Sequence, residues 1–114
     1  MVSCVKRTRT RLPATYAALD ALGAQIAIAR RELGWSAVEL GERLGTTAAL
    51  VMRIEKGAPG TAIGTVFEAA VICGVPLFGA GPERLPEVAD QTRTRLALLP
   101  QRVSARRVEV DDDF

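Results

Sequence analysis

Residues 36–57 read SAVELGERLGTTAALVMRIEKG and contain the most specific structural signals in the sequence. Ser36 followed three residues later by Glu39 is the sequence of a capping box, in which a serine side chain and a glutamate side chain satisfy backbone groups at the start of a helix. The pattern predicts a short helix that begins after Ser36, runs to Leu44 and is broken by Gly45.

A second short helix is predicted directly after this break. Thr46 or Thr47 is suited to cap its first turn, because a threonine hydroxyl can accept a backbone N–H there. The helix should run to Lys56, and Gly57 should end it. The stretch is therefore expected to form two short helices joined by a tight turn.

Two glycines make this assignment more specific. Two helices that cross steeply need a small residue at their contact, and Gly41 lies where the first helix meets the second. Gly45 lies at the connection, where a positive φ angle is easily reached by glycine. Four apolar residues can bury the inner faces of both helices: Leu40, Leu44, Val51 and Ile54. Together these features predict a helix-turn-helix.

The rest of the chain predicts further helices. A first helix is expected over Thr15–Leu33, opened by Pro13 and ended by Gly34. A fourth should cover Ala62–Cys73, with Thr61 as a candidate cap, and a fifth Pro86–Leu99. The domain organisation expected from these elements is a basic N-terminal arm over 1–13, a helix-turn-helix domain over 14–79, a C-terminal helix available for a dimer or partner contact over 80–100, and a flexible tail over 101–114.

Composition supports an all-α fold of five helices with flexible N- and C-terminal tails. Apolar residues make up 48% of the 114 residues, which is enough for a core, but only 4% are aromatic. Alanine and leucine, both good helix formers, dominate the apolar set. Long alternating runs of β-branched residues, which would predict strands, are absent.

Charge is concentrated at the two ends of the chain. The arm carries four basic residues and no acid: Lys6, Arg7, Arg9 and Arg11. Residues 101–107 carry three arginines, and residues 108–114 carry four acidic residues. Basic tails attract nucleic-acid phosphates, although a solvated tail without a partner explains the same composition equally well.

Several other kinds of function are disfavoured. The chain has no histidine and two cysteines, Cys4 and Cys73, so we expect no metal site, no cofactor and no framework disulfide. No glycine-rich phosphate loop or nucleophile with a plausible base is present, so we do not expect an enzyme. Since neither a secretory signal nor an apolar stretch of membrane-spanning length is found, we expect a cytoplasmic protein that associates with the nucleoid when bound to DNA.

The stretch from Leu22 to Leu77 resembles the Xre family of helix-turn-helix regulators, which includes the λ and 434 repressors and Cro. The matching positions are Ile26, Arg30, Gly34, Leu40, Gly45 and the run Val51-x-x-Ile54-Glu55-Lys56-Gly57. The resemblance implies a five-helix, λ-repressor-like domain whose third helix enters the major groove of double-stranded DNA. It also implies an ion pair between Arg30 and Glu55.

The flanking sequence is similar to the antitoxins of the HipB type, which are paired with HipA-like kinases. The similarity lies in residues 55–65, in Leu99-Pro100-Gln101-Arg102-Val103, and in Asp111-Asp112-Asp113-Phe114. It implies a homodimer that binds an operator, represses its own operon and holds a partner Ser/Thr kinase toxin inactive. A regulator of the Xre type without a toxin partner is the alternative.

The outward face of the third helix and the start of the second are predicted to contact DNA. The predicted DNA-binding residues are Ser36, Ala37, Thr47, Ala48, Ala49, Met52, Arg53 and Lys56. Thr47 can donate its hydroxyl to a phosphate or base edge, Arg53 can reach guanine or phosphate, and Lys56 suits a phosphate. The first-turn N–H groups after Ser36 can hold a phosphate.

This face departs from the pattern of the family. A glutamine often stands where this chain has Ala37, and Ala48, Ala49 and Met52 offer no side-chain hydrogen bond to a base. A protein-interaction module that has lost DNA binding is therefore a further alternative. Trp35 is expected to pack under the second helix as a core residue.

Overall fold

The computed structural model describes residues 10–102, and five α-helices account for most of this range. The helices are α1 (Pro13–Glu32), α2 (Ala37–Leu44), α3 (Ala48–Glu55), α4 (Ile63–Cys73) and α5 (Leu85–Ala97), with a 3₁₀ turn over Pro82–Arg84. No β-strand occurs in these residues. The predicted all-α, five-helix fold is confirmed. Part of the predicted basic arm, with Lys6, Arg7 and Arg9, lies outside the described residues, and so does the acidic tail.

The capping signals in the sequence set the starts of α2 and α3. The Ser36 hydroxyl accepts a hydrogen bond from the Glu39 N–H (3.0 Å), and the Glu39 carboxylate accepts one from the Ser36 N–H (2.7 Å). This is the predicted capping box. Of the two threonines considered for α3, Thr47 is the cap, since its hydroxyl accepts from the Leu50 N–H.

The start of α4 agrees with the prediction to within one residue, but the candidate cap Thr61 was wrong. Ala62 occupies the N-cap position, and no side chain caps the helix. The Thr61 hydroxyl instead donates a hydrogen bond to the carbonyl oxygen of Ala58. Thr61 therefore stabilises the loop before α4 and leaves the first turn of that helix uncapped.

The described chain divides after Pro82 into two compact units. In the first unit, α2 and α3 pack on each other, α1 packs on α3 and α4, and α4 packs on α2. The largest fully buried side chains are Ile26, Leu40 and Val51, one from each of α1, α2 and α3. The helix-turn-helix thus shares a single aliphatic core with α1.

A tight turn follows α4. Leu77 and Ala80 exchange both backbone hydrogen bonds at 2.9 Å, and the two central residues, Phe78 and Gly79, have φ angles of 53° and 72°. Positive φ at both positions is typical of a type I′ turn, where asparagine or glycine is the usual first residue. The Phe78 ring packs edge-on against Phe67, with the ring centroids 6.1 Å apart.

The second unit contains α5. This helix begins at Leu85 and ends at Ala97, close to the predicted range, and none of its residues is buried. Thr92 and Arg95 line a shallow depression of about 450 Å³ together with Leu96, Leu98 and Leu99. The side of α5 toward its C-terminus therefore presents leucines to solvent.

Candidate nucleic-acid interface

The turn between α2 and α3 has the geometry that its glycines predict. Gly45 has a φ of 75°, in the left-handed region, and ends α2. A β-carbon added at Gly41 would come within 3.1 Å of the Thr46 carbonyl oxygen and of the Thr47 carbonyl carbon. Gly41 therefore lets the backbone that enters α3 pass directly over α2.

A second close approach between backbones, at Gly23, was not predicted from the sequence. A β-carbon at Gly23 in α1 would lie 2.5 Å from the Ile54 carbonyl oxygen and 2.6 Å from that of Glu55. Gly23 thus allows the last turn of α3 to rest on the backbone of α1. A lone glycine inside a long helix, one turn before the buried Ile26, is the signal that could have identified it.

The expected ion pair between Arg30 and Glu55 is confirmed. Arg30 Nε lies 2.6 Å from one carboxylate oxygen of Glu55, and Nη2 lies 3.0 Å from the other. Arg30 Nη1 also donates to the Trp35 carbonyl oxygen at 2.8 Å. The hydrogen bond to Glu55 raises the pKa of the Arg30 guanidinium, outweighing the opposite effect of burial. The pair joins α1, the segment before α2 and the end of α3.

Most of the predicted DNA-binding residues are accessible. The exposed ones are Ser36, Thr47, Ala49, Met52, Arg53 and Lys56, while Ala37 and Ala48 are half-buried. Met52 retains 48% of its accessible surface. The only carboxylate in α3 is that of Glu55, and Arg30 occupies both of its oxygens.

The hydroxyl groups of Ser36 and Thr47 cap helices and still have a hydrogen-bond donor free. Each oxygen accepts a backbone N–H as a helix cap. The hydroxyl hydrogen of a serine or threonine in this position can still be donated outward. Both residues can therefore cap their helices and donate to a phosphate oxygen.

Three of the predicted residues border one surface depression of about 240 Å³. Ala37 at the start of α2 and Met52 and Lys56 on α3 line it, next to Arg31 of α1. Arg30 and Glu55 form part of its wall, with Ala27 completing it. Ser36, Arg53 and the residues from Thr47 to Ala49 do not line this depression.

Trp35 is half-buried rather than a fully enclosed core residue. The guanidinium carbon of Arg43 lies 4.0 Å from the centre of its ring. This is a cation–π contact between the segment before α2 and the last turn of that helix. The tryptophan thus packs along α2, and an exposed arginine covers it.

Cys73 is buried at the end of α4, and burial raises the pKa of its thiol. Within residues 10–102 no group of three or more histidine, cysteine or acidic side chains could hold a metal ion. None of the helices in that range is long and apolar enough to cross a membrane.

Two capped short helices on a helical scaffold define the class of helix-turn-helix proteins, which bind DNA. The family model described as a helix-turn-helix domain matches residues 21–81, just over half of the chain. The chain belongs to this family. The match covers the same helices that carry the resemblance to Xre-type regulators. Searches of curated proteins and of solved structures found no match to the chain.

Proposed function

We propose that this protein is a sequence-specific transcriptional repressor that binds operator DNA through α3. The observation that carries the proposal is the charge of the exposed face of this helix. Arg53 and Lys56 are exposed there, and neither forms an ion pair within the described residues. The carboxylate of Glu55 is neutralised by Arg30. The face therefore offers two free cations to a polyanion and no free anion to repel it.

The manner of binding follows from the side chains on this face. Thr47 and Arg53 can donate hydrogen bonds to bases or phosphates, whereas Ala49 and Met52 can contact only apolar groups such as the thymine methyl. With so few polar groups, direct readout of base edges supplies part of the specificity. Phosphate contacts and DNA shape supply the rest.

The proposal is tested by titrating the full chain against the DNA upstream of its own gene at several salt concentrations. We expect tighter binding to this DNA than to a random duplex of equal length, with an affinity that falls steeply as salt rises. Equal affinity for both duplexes would exclude an operator-binding repressor.

A homodimer is part of the proposal, and α5 is the surface that we assign to it. An isolated helix of 13 residues is marginal in water, so a helix without buried residues is stabilised when a partner covers its apolar side. A two-fold dimer would place the two recognition helices about one DNA turn, roughly 34 Å, apart.

We further propose that the protein is an antitoxin that neutralises a HipA-like Ser/Thr kinase and represses the operon of both genes. The support is the sequence similarity of residues 55–65 and of the C-terminal tail to HipB-type antitoxins. The test is co-purification of the chain, with and without residues 100–114, with a kinase encoded by the adjacent gene. If no kinase-like gene is adjacent, a regulator of the Xre type without a toxin partner is the better description.

The exposed apolar part of α3 favours one further candidate, a protein-interaction module that has lost DNA binding. Met52 and Ala49 are accessible on this helix, and Ala37 stands where the family often has a glutamine. This candidate predicts that Met52→Lys disrupts a protein complex. A DNA-binding α3 predicts instead that this added charge strengthens binding to any duplex.

A further inference from the structure

We infer that the depression lined by Arg31, Ala37, Met52 and Lys56 is a seat for a phosphate of the DNA backbone, and that Arg31 is a DNA-contacting residue. The inference deepens the proposed function, on which it rests. Arg31 belongs to α1, outside the helix-turn-helix, and the sequence pattern gives it no role in binding.

The depression lies beside the proposed DNA-binding face of α3. It is a concavity where α1, the start of α2 and the last two turns of α3 meet. Met52 and Lys56 on its border belong to the exposed face of α3 that we propose to contact DNA. A duplex lying against α3 would bring its sugar–phosphate backbone across this depression.

The border of the depression carries positive charge. Arg31 and Lys56 are both exposed, and neither is in an ion pair within the described part of the chain. Arg31 borders the depression from α1 and Lys56 from the C-cap of α3, so a phosphate seated in it would lie between two cations. The start of α2 at Ala37 adds the positive end of a helix dipole.

The wall of the depression contains one acidic residue. Glu55 would repel a phosphate if its carboxylate were free. Arg30 binds both of its oxygens, at 2.6 and 3.0 Å, and so cancels this repulsion. The ion pair therefore fixes the shape of the depression and leaves its net charge set by Arg31 and Lys56.

A salt titration of DNA binding tests the inference through charge-matched variants. Arg31→Gln should weaken binding to the upstream DNA and to a random duplex by the same factor. It should also lower the slope of log affinity against log salt by about 0.9, the value for one lost phosphate contact. Arg31→Lys keeps the charge and should keep the slope. Arg43→Gln removes an exposed arginine that stacks on Trp35 outside the depression, and should leave the slope unchanged.

The outcomes separate this inference from the proposed function. If the wild-type protein prefers the upstream DNA but Arg31→Gln keeps the full slope, the phosphate seat is wrong and the repressor stands. The phosphate seat is also wrong if Arg31→Gln and Arg43→Gln lower the slope equally, because net charge alone would then explain both. If the wild-type protein binds no DNA, the proposed function and the inference both fail. Thermal unfolding of each variant verifies that the exposed substitutions leave the fold intact.

Discussion

At the scale of single residues, the Arg30–Glu55 pair makes a sharp prediction about stability. Both side chains are about nine-tenths buried, so removing one partner leaves a charge that water cannot reach. We expect Glu55→Ala to lower the free energy of unfolding by about 3 kcal/mol, measured by urea denaturation.

The double variant Arg30→Met/Glu55→Leu is the matched control for this pair. It removes both charges and fills the site with apolar side chains, so it should be more stable than Glu55→Ala. A single variant as stable as the wild type would show that the pair does not hold α1 to α3.

The reactivity of the Cys73 thiol can also be predicted from its burial. Its thiol is buried and its pKa is raised by desolvation, so the reactive thiolate is scarce in the folded protein. In a Cys4→Ser background, we expect Cys73 to react slowly with a thiol reagent such as DTNB. Its reaction should become fast in urea, and fast labelling of the folded protein would contradict its burial.

Residue roles that depend on neighbours distant in sequence were the hardest to predict. Gly41 was identified because its partner residues follow within one short stretch. Gly23 was missed because the backbone it approaches, at Ile54 and Glu55, lies far along the chain in another helix. The stacking of Arg43 on Trp35 was likewise invisible, since the position of a long exposed side chain is not set by periodicity.

At the scale of helices, the close contacts predict an order among glycine substitutions. Alanine normally stabilises a helix relative to glycine by about 1 kcal/mol. Gly23→Ala should instead destabilise the protein by about 1–3 kcal/mol, because the new β-carbon would collide with backbone oxygens of α3. Gly41→Ala should cost less, since its contacts of 3.1–3.2 Å need a smaller shift.

Gly64→Ala is the control for this series. An added β-carbon at Gly64 meets no atom within 4 Å, so the variant should be as stable as the wild type or up to about 1 kcal/mol more stable. Thermal unfolding measures all three. If Gly23→Ala were as stable as Gly64→Ala, the close packing of α1 on α3 would be wrong.

Helix boundaries were predictable wherever a local capping signal decides them. Ser36 with Glu39 sets the start of α2, and Gly45 sets its end, through hydrogen bonds and backbone angles within a few residues. Thr61 carried the same kind of signal but bonds back to Ala58, because the loop before α4 competes for its hydroxyl. A sequence shows that a capping residue is present, but the loop geometry decides which backbone group it binds.

At the scale of the whole molecule, the exposed leucines at the C-terminal end of α5 predict self-association. Leu96, in the last turn of α5, and Leu99, two residues after the helix ends, retain 66% and 63% of their accessible surface. We expect a dimer by sedimentation equilibrium at micromolar concentration. Leu96→Glu with Leu99→Glu should shift the equilibrium toward the monomer, because buried carboxylates oppose association.

Gln91→Glu, which changes an exposed residue of α5 outside the leucine-lined depression, is the control and should leave the dimer intact. If the wild-type protein were a monomer at these concentrations, α5 would not be a dimer surface.

The candidate DNA-binding site was predictable only in part. The sequence located α3 but did not indicate that Arg31 of α1 borders the same depression as Met52 and Lys56.

DNA binding by α3 is tested by comparing Arg53→Ala with Arg93→Ala, a variant of α5 outside the leucine-lined depression. Both variants remove one exposed arginine, from α3 and from α5 respectively. The measurement is the affinity of each variant for the upstream DNA relative to a random duplex at fixed salt. Arg53→Ala should lose about 1–3 kcal/mol of specific binding, while Arg93→Ala should retain the preference of the wild type. An unchanged preference in Arg53→Ala would contradict DNA recognition by α3.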